Sequence, residues 1–168
     1  NDALNEGERP AGLFEPPTVG RLAELFPSLE IIELIGAGGM GAVYKARQKS
    51  LDRVVALKII KALPENREAF ANRFAREAKA LAKLSHPNIV TVYDFGERDG
   101  FFWLVTEFVD GVNLRQLMDL GQLSPPEALR ITPQVCTALE YAHGQGVVHR
   151  DIKPENILID QDGQVRIA

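Results

Sequence analysis

Apolar and polar residues change their spacing several times along the chain, and each change predicts an element. Positions 1–17 are polar and broken by Pro10, Gly12, Pro16 and Pro17, which predicts a linker. Thr18 is then placed to cap a short helix to Leu25 that ends before Pro27, with Leu22 and Leu25 on its apolar side. A two-residue period takes over. Leu29, Ile31 and Ile35 lead to Gly36, Gly38, Gly39 and Gly41, and Ala42–Gln48 and Arg53–Ile60 read as two further strands turning at Ser50–Asp52. From Asn66 to Leu84 the spacing becomes helical, with Phe70, Phe74, Leu81 and Leu84 on one stripe, and Pro87 closes the region. Ile89–Phe95 and Phe101–Phe108 read as strands joined by a turn from Gly96 to Gly100. Five strands and one main helix make a small α+β lobe.

Beyond Gly111 the chain reads as helical again. Ser124 and Glu127 fit a capping box, and Pro125 suits the first helical position. That helix is expected to reach His143, with Leu129, Val135, Leu139 and Ala142 buried and Pro133 bending it or removing one backbone bond. Two short strands, Ile157–Ile159 and Val165–Ile167, should turn at Asp162-Gly163.

Composition changes this picture little. At 168 residues with 45% hydrophobic and 25% charged, the chain is long enough for one sizeable core. A formal net charge of -4 argues against a nucleic-acid surface. The single cysteine, Cys136, excludes an internal disulfide and is expected to be a small buried hydrophobe. No apolar run approaches the about 20 residues that cross a bilayer, and no signal peptide is visible. Asn1 stands where a start methionine would, so an excerpt of a longer protein is expected.

The chemistry concentrates in three places. Gly36-x-Gly38-x-x-Gly41 is a weak signal alone, since dinucleotide folds share it, but the strand-like alternation that follows favours a glycine-rich hairpin over a helix. Lys58 ends the run Val54-Val55-Ala56-Leu57-Lys58 and, taken alone, would be a solvated lysine. His149–Asn156 reads HRDIKPEN. Phosphoryl transfer needs a carboxylate for a hydroxyl proton, a cation near the transferred phosphate and an oxygen for magnesium, and this loop holds all three residue types.

In that order these motifs resemble the eukaryotic-like protein kinases, with Lys153 pointing to the serine/threonine branch. GGMGAVYKAR and HPNIV look most like bacterial members. The resemblance runs from about Leu29 to Ala168 and implies a kinase-like α+β fold. A complete five-stranded N-lobe and hinge would span 29–108, with a truncated, mainly helical C-lobe over 109–168, after a linker and short helix at 1–28. It implies Asp151 as base, Lys153 as γ-phosphate contact and Asn156 as magnesium ligand. Lys58 would bind phosphates and be held by Glu77. Ile35, Val43, Ala56, Val109 and Leu158 would enclose adenine, with Gly36, Gly38 and Gly41 near the phosphates, Thr106 guarding the rear pocket, and backbone groups of Glu107 and Val109 meeting the adenine edge. His149 would stack with Leu81 and Val92, and Arg150 would meet a phosphorylated activation segment. Asp94-Phe95-Gly96 copies the family's magnesium triplet but precedes the catalytic loop, so Asp94 is read as no ligand and Phe95 as packing.

The implied cofactors are ATP and Mg2+, with Mn2+ possible. The implied partner is a protein bearing Ser/Thr, the protein itself included, with no nucleic acid and no membrane segment within these residues. The expected setting is cytoplasmic, with any anchor lying elsewhere in the parent. The chain stops at Ala168, one residue before the true triplet aspartate is due. The resemblance therefore implies an incomplete catalytic domain, expected to be inactive alone and to expose apolar surface. Against it stand a nucleotide-binding pseudokinase scaffold and a small-molecule phosphotransferase, the latter disfavoured by Lys153-Pro154.

Overall fold

The computed structural model describes residues 14–39, 41–62 and 66–168, so most of the expected linker lies outside the described residues. In chain order the elements are α1 (Val19–Leu25), β1 (Leu29–Gly38), β2 (Gly41–Gln48), β3 (Arg53–Lys61), α2 (Arg67–Leu81), β4 (Val92–Arg98), β5 (Phe101–Glu107), β6 (Gly111–Asn113), α3 (Leu114–Asp119), α4 (Pro125–Gly144), β7 (Ile157–Asp160) and β8 (Val165–Ile167). β1-β2-β3-β5-β4 form one sheet and β6-β7-β8 a second, smaller one. All their neighbouring pairs are antiparallel.

The helix starts expected at two places are formed as read. Thr18 is extended and its side chain accepts from the Arg21 N–H. At α4, Ser124 and Glu127 make the reciprocal capping box, satisfying two donors that a helix start otherwise leaves without partners. α4 runs unbroken through Pro133. Nearby hydroxyls bond main-chain carbonyls, Thr132 to Ala128 O at 2.8 Å and Thr137 to Pro133 O at 2.9 Å.

Several expectations are corrected. β4 begins at Val92 rather than Ile89, because Val90 N–H donates to Ile167 O (2.8 Å) and Ile167 N–H to Asn88 O (2.9 Å), which gives that stretch to β8. Gly96 is not a turn residue but lies inside β4, since a side chain there would come within 2.8 Å of the Trp103 ring. The turn is Asp99-Gly100, with both residues at positive φ. Beyond Gly111 the chain turns helical as expected, after the short strand β6: Asn113 caps α3 with a reciprocal capping box to Gln116. Leu129 is 75% exposed and Cys136 is exposed as well. α4 buries Ala138 and Ala142 against β8, where small side chains allow close approach, and both Leu129 and Cys136 lie near the opposite side of the helix. Val135 and Leu139 are half-buried. Val148 (61% exposed) and Ile152 (42%) add to the apolar surface open to solvent. Among the described residues no helix is long and apolar enough to cross a membrane.

Candidate functional site

β2, β3 and β5 place their functional side chains by register. Val43 pairs with Lys58 and Lys58 with Leu104, while Lys45, Ala56 and Thr106 form the next rung in the same way. Directly opposed residues share a face, so Val43, Lys58, Ala56 and Thr106 stand together on one side of the sheet. β1 brings Gly36 opposite Val43 and Gly38 opposite Gly41. The glycines differ in what demands them. A Cβ at Gly41 would lie 2.5 Å from Ile59 O, so packing between β2 and β3 already requires glycine there. At Gly36, Gly38 and Gly39 a Cβ would meet nothing within 4 Å, and none of the three has positive φ. Neither packing nor backbone twist explains them. What their bareness provides is open backbone, which a phosphate group can approach closely.

The loop from His149 to Asn156 is bound to itself. Asn156 Nδ2 donates to Asp151 Oδ2 at 3.0 Å and to Asp151 O at 2.9 Å, and Lys153 Nζ lies 2.8 Å from Asp151 Oδ2. The Lys153 hydrogen bond, followed by that from Asn156, holds the Asp151 carboxyl below the usual range, and the same contact raises the Lys153 ammonium. Asp151 N–H donates to His149 O (2.9 Å), and His149 Nε2 is 2.9 Å from Ala168 O. Arg150 takes φ 61, a left-handed conformation that a non-glycine residue rarely adopts, immediately before the aspartate.

The two halves face each other. Lys58 has its pKa lowered first by burial and then by the Lys153 ammonium, with Asp151 opposing both. Its surface remains open to water at the cleft mouth, so desolvation is felt less strongly than the crowding around it implies. Two ammonium groups near enough to repel, on a sheet whose first hairpin carries bare glycine backbone, suit a phosphate chain.

Other predicted residues are placed less simply. Val109 is half-buried beyond β5, and among the described residues its N–H and C=O make no hydrogen bond. Glu107 N–H is spent on Thr91 O (2.8 Å), while Glu107 O accepts from the Thr106 hydroxyl at 3.1 Å. Leu158 is half-buried on β7, and Ile35 is 46% exposed at the edge of β1.

The expected Lys58–Glu77 ion pair is not formed. Glu77 is exposed, and among the described residues it pairs with neither Lys58 nor Arg73 nor Arg76. The reason lies in what fastens α2. Phe70 and Phe74 pack on Phe102 with ring centroids 4.9 and 5.3 Å away, and Phe74 meets Phe95 edge-on at 6.3 Å. With Ala78 buried four residues further on, the inward line is 70-74-78, and Glu77 falls beside it toward solvent. Phe95 thus packs as expected, and Asp94 is exposed with Oδ1 accepting from Phe95 N–H.

One residue escaped sequence reading. Arg166 Nε bonds Glu107 Oε1 at 2.8 Å and its NH1 approaches Asp160 Oδ2 at 3.5 Å, joining the smaller sheet to the end of β5. The signal was the alternation Val165-Arg166-Ile167, which turns the arginine away from two buried neighbours. Among the described residues no cluster of three or more His, Cys, Asp or Glu is placed to hold a metal. A cation here would rest on Asn156 Oδ1, whose own amide nitrogen is already engaged, and on oxygens brought by the phosphate-bearing molecule.

Residues 29–168 match the family described as protein kinase domain. The chain is 45% identical over 140 residues to serine/threonine-protein kinase PrkC of Bacillus subtilis (strain 168), covering 83% of this chain and 22% of that protein. It is 47% identical over 129 residues to serine/threonine-protein kinase pkn3 of Myxococcus xanthus, covering 76% and 24%. Among solved structures, the M. tuberculosis PknI kinase domain superposes with a TM-score of 0.76 at 33% identity, over 84% of this chain and 57% of that one. The chain thus spans under a quarter of the length of these two curated relatives.

Proposed function

Since this chain belongs to the protein kinase family, with bacterial serine/threonine kinases among its relatives, we propose that the full-length protein transfers the γ-phosphoryl group of Mg-ATP to serine or threonine hydroxyls of protein substrates, itself among the candidates. Members of this family generally use ATP and Mg2+. The observation that carries the reading is the bonded loop in which Lys153 Nζ and Asn156 Nδ2 lie 2.8 and 3.0 Å from Asp151 Oδ2, together with Lys58 on the sheet face shared with Val43. Bound Mg-ATP supplies the phosphoryl group and, through the metal, neutralises charge on it. Val43, Ala56, Leu158 and Ile35 form an apolar slot for a flat ring, and the unbonded Val109 N–H and C=O meet the ring's polar edge. Lys58 and Lys153 would hold negative charge, and Asn156 Oδ1 would hold the metal, Mg2+ or Mn2+. Asp151, kept ionised, orients the acceptor hydroxyl and receives its proton as the oxygen bonds to the γ-phosphorus and the bond from that phosphorus to the β–γ bridging oxygen breaks, releasing ADP. Residues 29–108 are the N-lobe and hinge, and 109–168 the beginning of the C-lobe.

The test is incubation of the full-length protein with γ-labelled ATP, Mg2+ and protein acceptors, with phosphoserine and phosphothreonine read by mass spectrometry. Nucleotide binding without transfer would instead select the scaffold reading, which the exposed, unpaired Glu77 favours.

A pH prediction follows from the loop. Only the Asp151 carboxylate accepts a proton, so activity falls as pH drops through its pKa. Lys153→Met removes the first cause of the low value. The acid limb of kcat/KM should therefore move to higher pH, and an unmoved limb would deny Lys153 this role.

A further inference from the structure

Residues 14–28 precede the span matched by the protein kinase family, yet they are built into the sheet. Alternation along the strands gives the sheet a second face, opposite Val43, Ala56 and Lys58, made by Tyr44, Val55, Leu57, Ile59 and Val105. α1 lies on that face. Leu22 is 0% exposed and Phe26 5%. Phe26 meets Trp103 edge-on with ring centroids 5.6 Å apart, and the Tyr44 hydroxyl donates to Pro17 O at 2.6 Å. Lys49 ties to Pro27 O (2.9 Å) through Nζ and to Ser28 O (3.1 Å) through its N–H. Further ties run from Arg98 to Leu25 O and from Arg21 to Asp99, at the β4–β5 end of the sheet. The segment therefore grips the lobe at both sides.

We propose that residues 14–28 are a strap that positions the nucleotide cleft from behind. On β3, the buried Leu57 and Ile59 under the strap flank Lys58 on the cleft side, and the residues of one short strand cannot shift independently. β5 repeats the arrangement, with Trp103 and Val105 toward the strap and Thr106 toward the cleft. Releasing the strap loosens the backs of the two strands that carry the phosphate-binding lysine and lead into the hinge. The proposal rests on the reading of the cleft as a nucleotide site. The strap is also a ready point of control, because anything that competes for its seat weakens the cleft without touching it.

Trp103, the one tryptophan of this sequence, is the reporter. Among the described residues Trp103 Nε1 is buried without a hydrogen-bond partner, beside a cavity of about 130 Å³ lined in part by Phe26, Leu29 and Tyr93. Water enters there when the strap leaves. In the full-length protein, with any tryptophan outside these residues replaced by phenylalanine, Leu22→Asp should shift Trp103 emission to the red, lower hydrogen-exchange protection along β3 and weaken binding of a fluorescent ATP analogue about tenfold. Leu22→Met should restore all three. If Leu22→Asp does not fold, Tyr44→Phe removes only the bond to Pro17 O and should move the same readouts less far in the same direction. Red-shifted emission with unchanged nucleotide affinity would overturn the positioning role. Unchanged emission and exchange would overturn the strap itself. A wild-type protein that binds no nucleotide would refute the kinase reading and the coupling to it, while exchange along β3 still judges whether the strap steadies the sheet.

Discussion

Asp151→Asn is expected to lower the turnover of the full-length protein about a thousandfold while leaving its affinity for nucleotide nearly unchanged. The substitution keeps the size of the side chain and an oxygen for Asn156 Nδ2, which now stands 3.0 Å from the carboxylate. It removes the carboxylate proposed to take the hydroxyl proton, and the ion pair that fixes Lys153 at 2.8 Å. Because Asp151 lies outside the apolar slot, binding should survive while chemistry does not. Steady-state kinetics beside titration with a fluorescent ATP analogue separate the two quantities. A loss in turnover of less than tenfold would remove Asp151 from the proton's path.

Lys58→Met should cost about two to three orders of magnitude in kcat/KM and, unlike Asp151→Asn, should weaken nucleotide binding too. The lysine belongs to the wall that meets phosphate before any proton moves. Its ammonium is disfavoured in the folded chain, by burial and by Lys153. A lysine whose folded pKa lies below its unfolded value binds its proton less well when folded, so at neutral pH the charged group opposes folding. Exchange for methionine, of similar length and without charge, should therefore leave the thermal midpoint unchanged or raise it. Lost activity accompanied by a falling midpoint would mean that Lys58 was holding the lobe together rather than holding phosphate.

What the sequence revealed and what it hid divide along a physical line. Asp151, Lys153 and Asn156 lie within six consecutive positions, so a short loop can bring them together using its own bonds. The same locality made the Thr18 and Ser124 caps legible. The glycines were harder. Only the space around them separates Gly41, which Ile59 O demands, from Gly36 and Gly38, which nothing among the described residues demands. Glu77 was misplaced because the rotation of α2 is decided by Phe95 and Phe102, which arrive from strands formed later in the chain. Leu129 failed for a related reason. α4 carries apolar residues on several sides, and β8 chooses among them by accepting the alanines. Gly96 looked like a turn and proved to be a clearance for Trp103, a demand from the neighbouring strand.

The two sheets are joined at more than one place. The chain passes directly from β5 to β6 beside the Glu107–Arg166 pair, and separately Asn88 and Val90 exchange main-chain bonds with Ile167, while Asn88 Nδ2 donates to Val165 O at 2.8 Å. Two fixed points define a line, as they do for a door on a pair of pins. Rocking about that line would leave both ties intact, whereas sideways slip of one sheet past the other would tear the Asn88 side from β8.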